Sequence, residues 1–301
     1  MLRPFGLYRP TTLPELGDLL AEHGSDAAIY AGGTELLLLL KEGLLRVRCL
    51  LDVKRVHDLG EIAYDDGGVT IGATVRHRAV EQSPRLRERC PVLAGVAAHV
   101  ANVRVRHVGT VGGNLAFADP HSDLATICLA LDGAVSLWSR RGERQIPLGD
   151  FVLGPYETAR REDEIVTSVR LRPWPRGTVG AYLKFGVYER PTLGVALAVT
   201  MSPAGRVSEA RLAVGCVGPR PKRLPDVEQD MIGGTAEDLA DAAKPLADAA
   251  AEVVETLADL HGSADYKREM TRVFVRRAVT TVAARAAGRD RHERYAHTVV
   301  V

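Results

Sequence analysis

Two pairs of adjacent glycines constrain this chain more than any other feature. They sit in Ala31-Gly32-Gly33-Thr34-Glu35 and Thr110-Val111-Gly112-Gly113-Asn114, each after an apolar or β-branched run and each opening a new segment. Adjacent glycines let the backbone take φ > 0 and leave no Cβ in the path of a ligand. A turn whose successive N–H groups point one way is suited to phosphate. Two such turns in one chain suggest a dinucleotide.

At the first turn the donors are the amides of Gly32 to Glu35 and the Thr34 hydroxyl. A hydrogen bond to a charged acceptor contributes roughly 1.5–3 kcal/mol, so several of them hold a pyrophosphate without a lysine. No GKT or GKS follows the glycines, and the GxGxxG spacing is absent, which removes the P-loop and Rossmann readings. The competing account is a tight strand-to-helix connection with Thr34 as its cap.

The 301 residues suffice for two or three domains, and Lys plus Arg (39) nearly cancels Asp plus Glu (38). Such balance argues against nucleic acid as a partner. Arg104, Arg106 and His107 read as the wet face of a strand. Cys49, Cys90, Cys128 and Cys216 form no CxxC cluster, so no iron–sulfur or zinc site is expected in this chain. The start lacks the apolar core of a signal peptide, and the run Leu36 to Leu40 is too short to span a bilayer. A cytoplasmic protein with reduced thiols is expected.

Local signals predict mixed α+β structure. Leu13 to His23 reads as an amphipathic helix between Thr12 and Gly24, Ala27 to Ala31 as a strand, and the leucines to Glu42 as a helix stopped by Gly43. Arg48 to Val53 is a buried strand, and a hairpin pairs Glu61–Tyr64 with Val69–Ala73. Helices are expected at Arg76–Glu81, Val92–Val100 and Asp123–Leu131, and strands at Ala134–Trp138, Gln145–Pro147 and Ile165–Leu171. Pro173-Trp174-Pro175-Arg176-Gly177 ends regular structure and is the linker. Beyond it come strands at Ala181–Tyr188, Gly194–Met201 and Arg206–Gly215, then an Ala-rich helical tail from Thr235 to Ala287, broken near His261-Gly262-Ser263.

The second turn leads into Asp119-Pro120-His121-Ser122-Asp123, a polar cluster suited to ribose or phosphate. Its Asp and His side chains also match metal ligands, but Pro120 stiffens the loop and no further ligand is near in sequence. Asp123 alone is a helix N-terminal acid favoured by the dipole. No GxSxG, HExxH or partnered cysteine is present, so no catalytic residue is assigned. Lys184, one of only six lysines, alternates with apolar neighbours; it is either a solvated strand lysine or a phosphate or flavin contact.

Ala31-Gly32-Gly33-Thr34-Glu35-Leu36-Leu37, Val108-Gly109-Thr110-Val111-Gly112-Gly113-Asn114-Leu115-Ala116 and Ser122-Asp123 together resemble the flavin-binding medium subunits of molybdenum hydroxylases. The resemblance extends to Glu164-Ile165-Val166, the Lys184 strand and Ser263–Arg268. It implies a two-subdomain FAD-binding domain of the vanillyl-alcohol-oxidase/PCMH type, over 1–55 and 56–175. A C-terminal domain with a three-stranded antiparallel sheet and helices would follow over 178–290. It further implies non-covalent FAD on Ala31, Gly32, Gly33, Thr34, Glu35, Leu36, Thr110, Val111, Gly112, Gly113 and Asn114, with Asp123, Val166 and Lys184 as further contacts. Val100 stands where relatives carry an aromatic residue at the flavin.

The same resemblance places a molybdenum cofactor in a large partner subunit and [2Fe–2S] clusters in a small one, in a dimer of heterotrimers with no membrane span. Besides Val100, this chain departs from relatives in two places. Asn114 to Asp123 holds no cysteine-bearing insertion of the kind found in 4-hydroxybenzoyl-CoA reductase, which disfavours that enzyme, and Tyr188-Glu189-Arg190-Pro191 stands where relatives often carry an Arg followed by Asp. Two other readings remain: a self-contained FAD-dependent oxidase and a non-catalytic nucleotide-binding assembly subunit.

Overall fold

A computed structural model describes residues 3–186, 190–289 and 295–301. The chain begins with β1 (Gly6–Tyr8), α1 (Leu13–His23), β2 (Ala27–Tyr30), α2 (Leu36–Glu42) and β3 (Cys49–Asp52). The strands form a parallel sheet in the order β1-β3-β2. Helix α1 starts where Thr12 accepts from the Glu15 amide and stops at Gly24; α2 ends on Gly43, whose left-handed backbone turns the chain. Thr34 does not cap α2. The cap position is Glu35, in helical backbone and without a side-chain cap bond.

The next segment holds β4 (Ile62–Asp65), β5 (Gly68–Gly72), α3 (His77–Gln82), α4 (Pro84–Arg89), α5 (Pro91–Ala98), α6 (Val103–Val108), α7 (Val111–Phe117) and α8 (Asp123–Ala130). It continues through β6 (Ala134–Ser139), β7 (Gly142–Pro147), α9 (Leu148–Phe151), β8 (Val152–Gly154), β9 (Glu157–Thr158) and β10 (Ile165–Leu171). A five-stranded antiparallel sheet of order β4-β5-β10-β6-β7 results. Every residue of α8 is buried. The segment around Arg104 and Arg106 is a helix, not the strand its alternation suggests. Asn102 caps it, and Arg106 bonds the carbonyls of Val100 and Ala101.

After the linker come β11 (Thr178–Phe185), β12 (Leu193–Met201), β13 (Val207–Gly215), β14 (Lys222–Arg223), α10 (Pro225–Gln229), α11 (Ala236–Asp241), α12 (Ala243–Val253), α13 (Ala264–Ala286) and β15 (Thr298–Val300). Two short edge strands extend the three long ones, in the order β14-β13-β12-β11-β15. Tyr188, assigned to this sheet from sequence, lies outside the described residues, as does Glu189. Side chains alternate faces along a strand. Ala181, Leu183, Val195, Leu197 and Val199 pack on the C-terminal helices, while Tyr182, Ala196 and Ala213 join the core of the preceding sheet and α8. A sheet covered on both faces reads as unbroken apolar runs.

All four cysteines are buried and free. No helix among the described residues is long and apolar enough to cross a membrane.

Candidate flavin site

The two glycine turns meet. A Cβ built on Gly32 falls inside contact distance of the Val108 carbonyl oxygen and 2.8 Å from the Gly109 Cα. The residues leading into the second turn therefore lie directly against the first. Gly33 has φ of +72°, and a Cβ there would strike the Tyr30 ring. Glycine at 32 and 33 thus answers to protein packing and backbone conformation before any ligand is considered.

Amide accounting separates the two turns. The second is closed on itself: Val111 N–H donates to Val75 at 2.9 Å, Gly112 to Ala73 at 2.9 Å, Gly113 to the Thr110 hydroxyl at 3.1 Å and Asn114 to Thr110 at 2.9 Å. At the first turn, Gly32, Gly33 and Thr34 donate their amides to no other described residue. All three residues are half-buried, so these amides are open to water or to an anionic ligand. The second turn presents a surface instead. Gly113 is exposed, and a Cβ there would meet only its own capping hydroxyl. Gly112 is buried, with the Ala73 Cα 2.7 Å from a built Cβ.

Asn114 and Asp123 are joined through Ser122, whose hydroxyl donates to Asn114 Oδ1 at 2.6 Å and whose Oγ caps α8. Asp123 opens α8 and is buried. It accepts from Lys184 Nζ at 2.7 Å and from the Tyr182 hydroxyl at 2.8 Å. Lys184, 2 % exposed, also donates to the His99 carbonyl at 2.9 Å. Sequence reasoning named Asp123 and Lys184 separately; the fold makes them a buried pair. Burial and the Asp123 carboxylate drive the Tyr182 phenol well above its usual range.

Val100 follows His99 and is half-buried at this corner. Val166 lies in the core on β10, next to a bulge where the Thr167 carbonyl accepts from Ala73, the residue under Gly112. Leu36 begins α2, half-buried.

The Asp119, His121 and Asp123 side chains each meet a separate partner: Arg190 at 2.8 Å for Asp119, Asp259 at 3.0 Å for His121, and Lys184 for Asp123. Among the described residues no His, Cys, Asp and Glu group could hold a metal. The Arg190 assignment was missed from sequence. Its guanidinium spans Asp119 and, at 3.2 Å, Glu35, tying the C-terminal part of the chain to both glycine segments. A single arginine in an aperiodic loop carries no local signal of such a contact. A cavity of about 930 Å³ lies elsewhere, by the linker, and is lined by Arg89, Trp174, Arg285 and Val301 among others; it shares no residue with the turns.

Behind the second turn sits buried His77, its amide donating to the Gly109 carbonyl and its Nδ1 without a partner among the described residues. Burial, aided by the Arg106 charge, lowers its pKa to about 4. The unfolded chain, with a pKa near 6.5, binds more protons between those values, so stability is full above pH 6.5 and is lost as pH falls toward 4. The slope should reach about 1.4 kcal/mol per pH unit. Urea unfolding at pH 7 and pH 5 checks this, and His77→Gln should flatten the difference.

A family profile described as the FAD binding domain in molybdopterin dehydrogenase matches residues 3–174, and the CO dehydrogenase flavoprotein C-terminal domain matches 188–282. The alpha subunit of the 6-hydroxypseudooxynicotine dehydrogenase complex of Paenarthrobacter nicotinovorans is 34% identical over 274 residues, covering 89% of this chain and 90% of the relative. The carbon monoxide dehydrogenase medium chain of Hydrogenophaga pseudoflava is 32% identical, covering 94% and 98%. The solved carbon monoxide dehydrogenase of that organism superposes with a TM-score of 0.88 at 32% identity, covering 95% of this chain and 99% of that one. Quinoline 2-oxidoreductase from Pseudomonas putida 86 gives 0.86 at 29%, with the same coverage. The chain belongs to the family of FAD-binding medium subunits of molybdenum hydroxylases, the flavin components of multi-subunit oxidoreductases.

Proposed function

We propose that this chain holds one non-covalent FAD across the two glycine turns. In this reading it accepts electrons from [2Fe–2S] clusters of a small partner subunit and delivers them to an external acceptor. A large partner with a molybdenum cofactor oxidises the substrate, and the assembly is a dimer of heterotrimers. Residues 1–55 and 56–175 form the two halves of the flavin domain, and 178–290 the C-terminal domain.

The observation that carries this reading is the set of amides at Gly32, Gly33 and Thr34 with no partner among the described residues, beside a second glycine segment whose lead-in abuts Gly32. These amides hold the pyrophosphate, while exposed Gly113 and the Thr110 and Asn114 side chains line the opposite wall. FAD when bound supplies exchange of single electrons with clusters and of electron pairs with an acceptor. The chain's residues supply position and field. Lys184 and Asp123 set a fixed, water-poor dipole where the C-terminal sheet meets α8, beside Val100. No residue of this chain is assigned as a general acid or base for the substrate chemistry.

The self-contained oxidase finds little support, because the C-terminal sheet is covered by helices on one face and by α8 and the preceding sheet on the other. The test is reconstitution: the purified chain mixed with FAD, desalted, and its flavin counted per chain by absorbance. One flavin per chain, reduced when the small and large partners and substrate are added, is expected. A colourless chain sinks the FAD assignment, and a flavin that stays oxidised in the complex sinks the electron relay.

A further inference from the structure

The C-terminal residues touch both sides of the Lys184 site. β15 pairs with the outer edge of β11 in the register Leu183↔Val300, Lys184↔Val299 and Phe185↔Thr298. The pairing is prolonged at both ends. Gly186 N–H donates to His297 at 2.9 Å, while Tyr182 and Val301 exchange two backbone hydrogen bonds at 3.1 and 2.9 Å. Arg285 of α13 anchors the end by donating to the carbonyls of Val301 and Gly180.

The Val301 side chain crosses to the other side of the site. It seats on Gly95 of α5, where a built Cβ would fall inside contact distance of Val301 Cγ1. Helix α5 ends at Ala98, and the next residue, His99, gives its carbonyl to Lys184 Nζ. The same five residues therefore brace the strand that carries the lysine and the helix that leads to its acceptor.

We propose that residues 297–301 are a positioning strap for Lys184, and that seating Val301 on Gly95 holds the Lys184–Asp123 pair in its flavin-binding geometry. The inference rests on Lys184 being a flavin residue, as argued above. Strand pairing holds β11 between β12 and β15 within the sheet but gives it no link to α5. The valine contact adds the cross-link to α5, and displacement of a supporting residue by an ångström degrades a site it never touches.

Gly95→Ala tests this in the full chain reconstituted with FAD. Alanine favours the helix, so α5 is not weakened, but its methyl evicts Val301. The expected result is about ten-fold weaker FAD binding and a shifted visible flavin band, with no fall in the urea midpoint of the flavin-free protein. In Gly95→Ala/Val301→Ala the vacated space accepts the new methyl, and affinity should return to within about three-fold of the parent. Val301→Asp, which leaves α5 untouched, should reproduce the loss. If Gly95→Ala and Val301→Asp both bind FAD like the parent while Lys184→Met, shown folded by circular dichroism under the same conditions, does not, the strap is wrong and the flavin reading stands. If Lys184→Met also binds normally, the role of Lys184 fails and the strap with it.

Discussion

Gly113→Val should purify as a folded, colourless protein, whereas Gly32→Val should fail to accumulate as a folded chain. The two glycines look equivalent in sequence, and the structure separates them. A Cβ at Gly113, itself exposed, meets only the Thr110 hydroxyl, at 2.8 Å, a side-chain atom at the start of α7. The cap bond is strained, a loss typically near 1 kcal/mol, but no core packing is touched. The isopropyl group then projects over the surface assigned to the pyrophosphate. At Gly32 the same group collides with the backbone of Val108 and Gly109, which cannot move without separating the turns. Overpacking against backbone commonly costs about 1–3 kcal/mol and sometimes more. Circular dichroism with flavin content per chain checks both. A yellow Gly113→Val protein at full stoichiometry removes the second turn from the site.

Lys184→Met should destabilise the flavin-free chain by about 3–5 kcal/mol, the usual result of leaving one member of a buried pair without its partner. Asp123 would keep the Tyr182 hydroxyl, at 2.8 Å, as its remaining side-chain donor, in a site excluded from water. The double variant Lys184→Met/Asp123→Asn removes both charges and keeps an acceptor for Tyr182. It should recover most of the loss, because the cost of burying an unpaired charge disappears. Urea unfolding of the parent, both single variants and the double variant gives the coupling directly. A single-variant cost below about 1 kcal/mol would match an exposed pair and contradict the buried geometry.

Much of the fold was legible because its signals are local. Thr12 and Gly24 bracket α1, Gly43 stops α2, and the Asp65–Gly68 turn sets the β4–β5 hairpin. The two prolines of the linker mark the gap between β10 and β11. Errors arose where a local pattern has two solutions. Val103-Arg104-Val105-Arg106 alternates like a strand, but Asn102 and the reach of Arg106 to two carbonyls stabilise a helix. Thr34 has the chemistry of a cap, yet the chain enters the helix one residue later, at Glu35. The partners of Arg190 lie 71 and 155 residues away, beyond any pattern of spacing.

By itself the sequence determined that this is a mixed α+β chain with a glycine turn before α2, a proline break and a buried helix after Ser122, together with the family those motifs resemble; the second glycine pair, read as a turn, opens helix α7. The structural features follow from backbone preferences and periodicity, which act over a few residues, and the family rests on the resemblance of the motifs alone. Only the tertiary structure decided that the first turn alone keeps its amides open, that Asp123 and Lys184 neutralise each other, and that Val301 seats on Gly95. The physical reason is that hydrogen-bond satisfaction and burial of charge are settled between segments distant in sequence, where a residue's neighbours are chosen by packing.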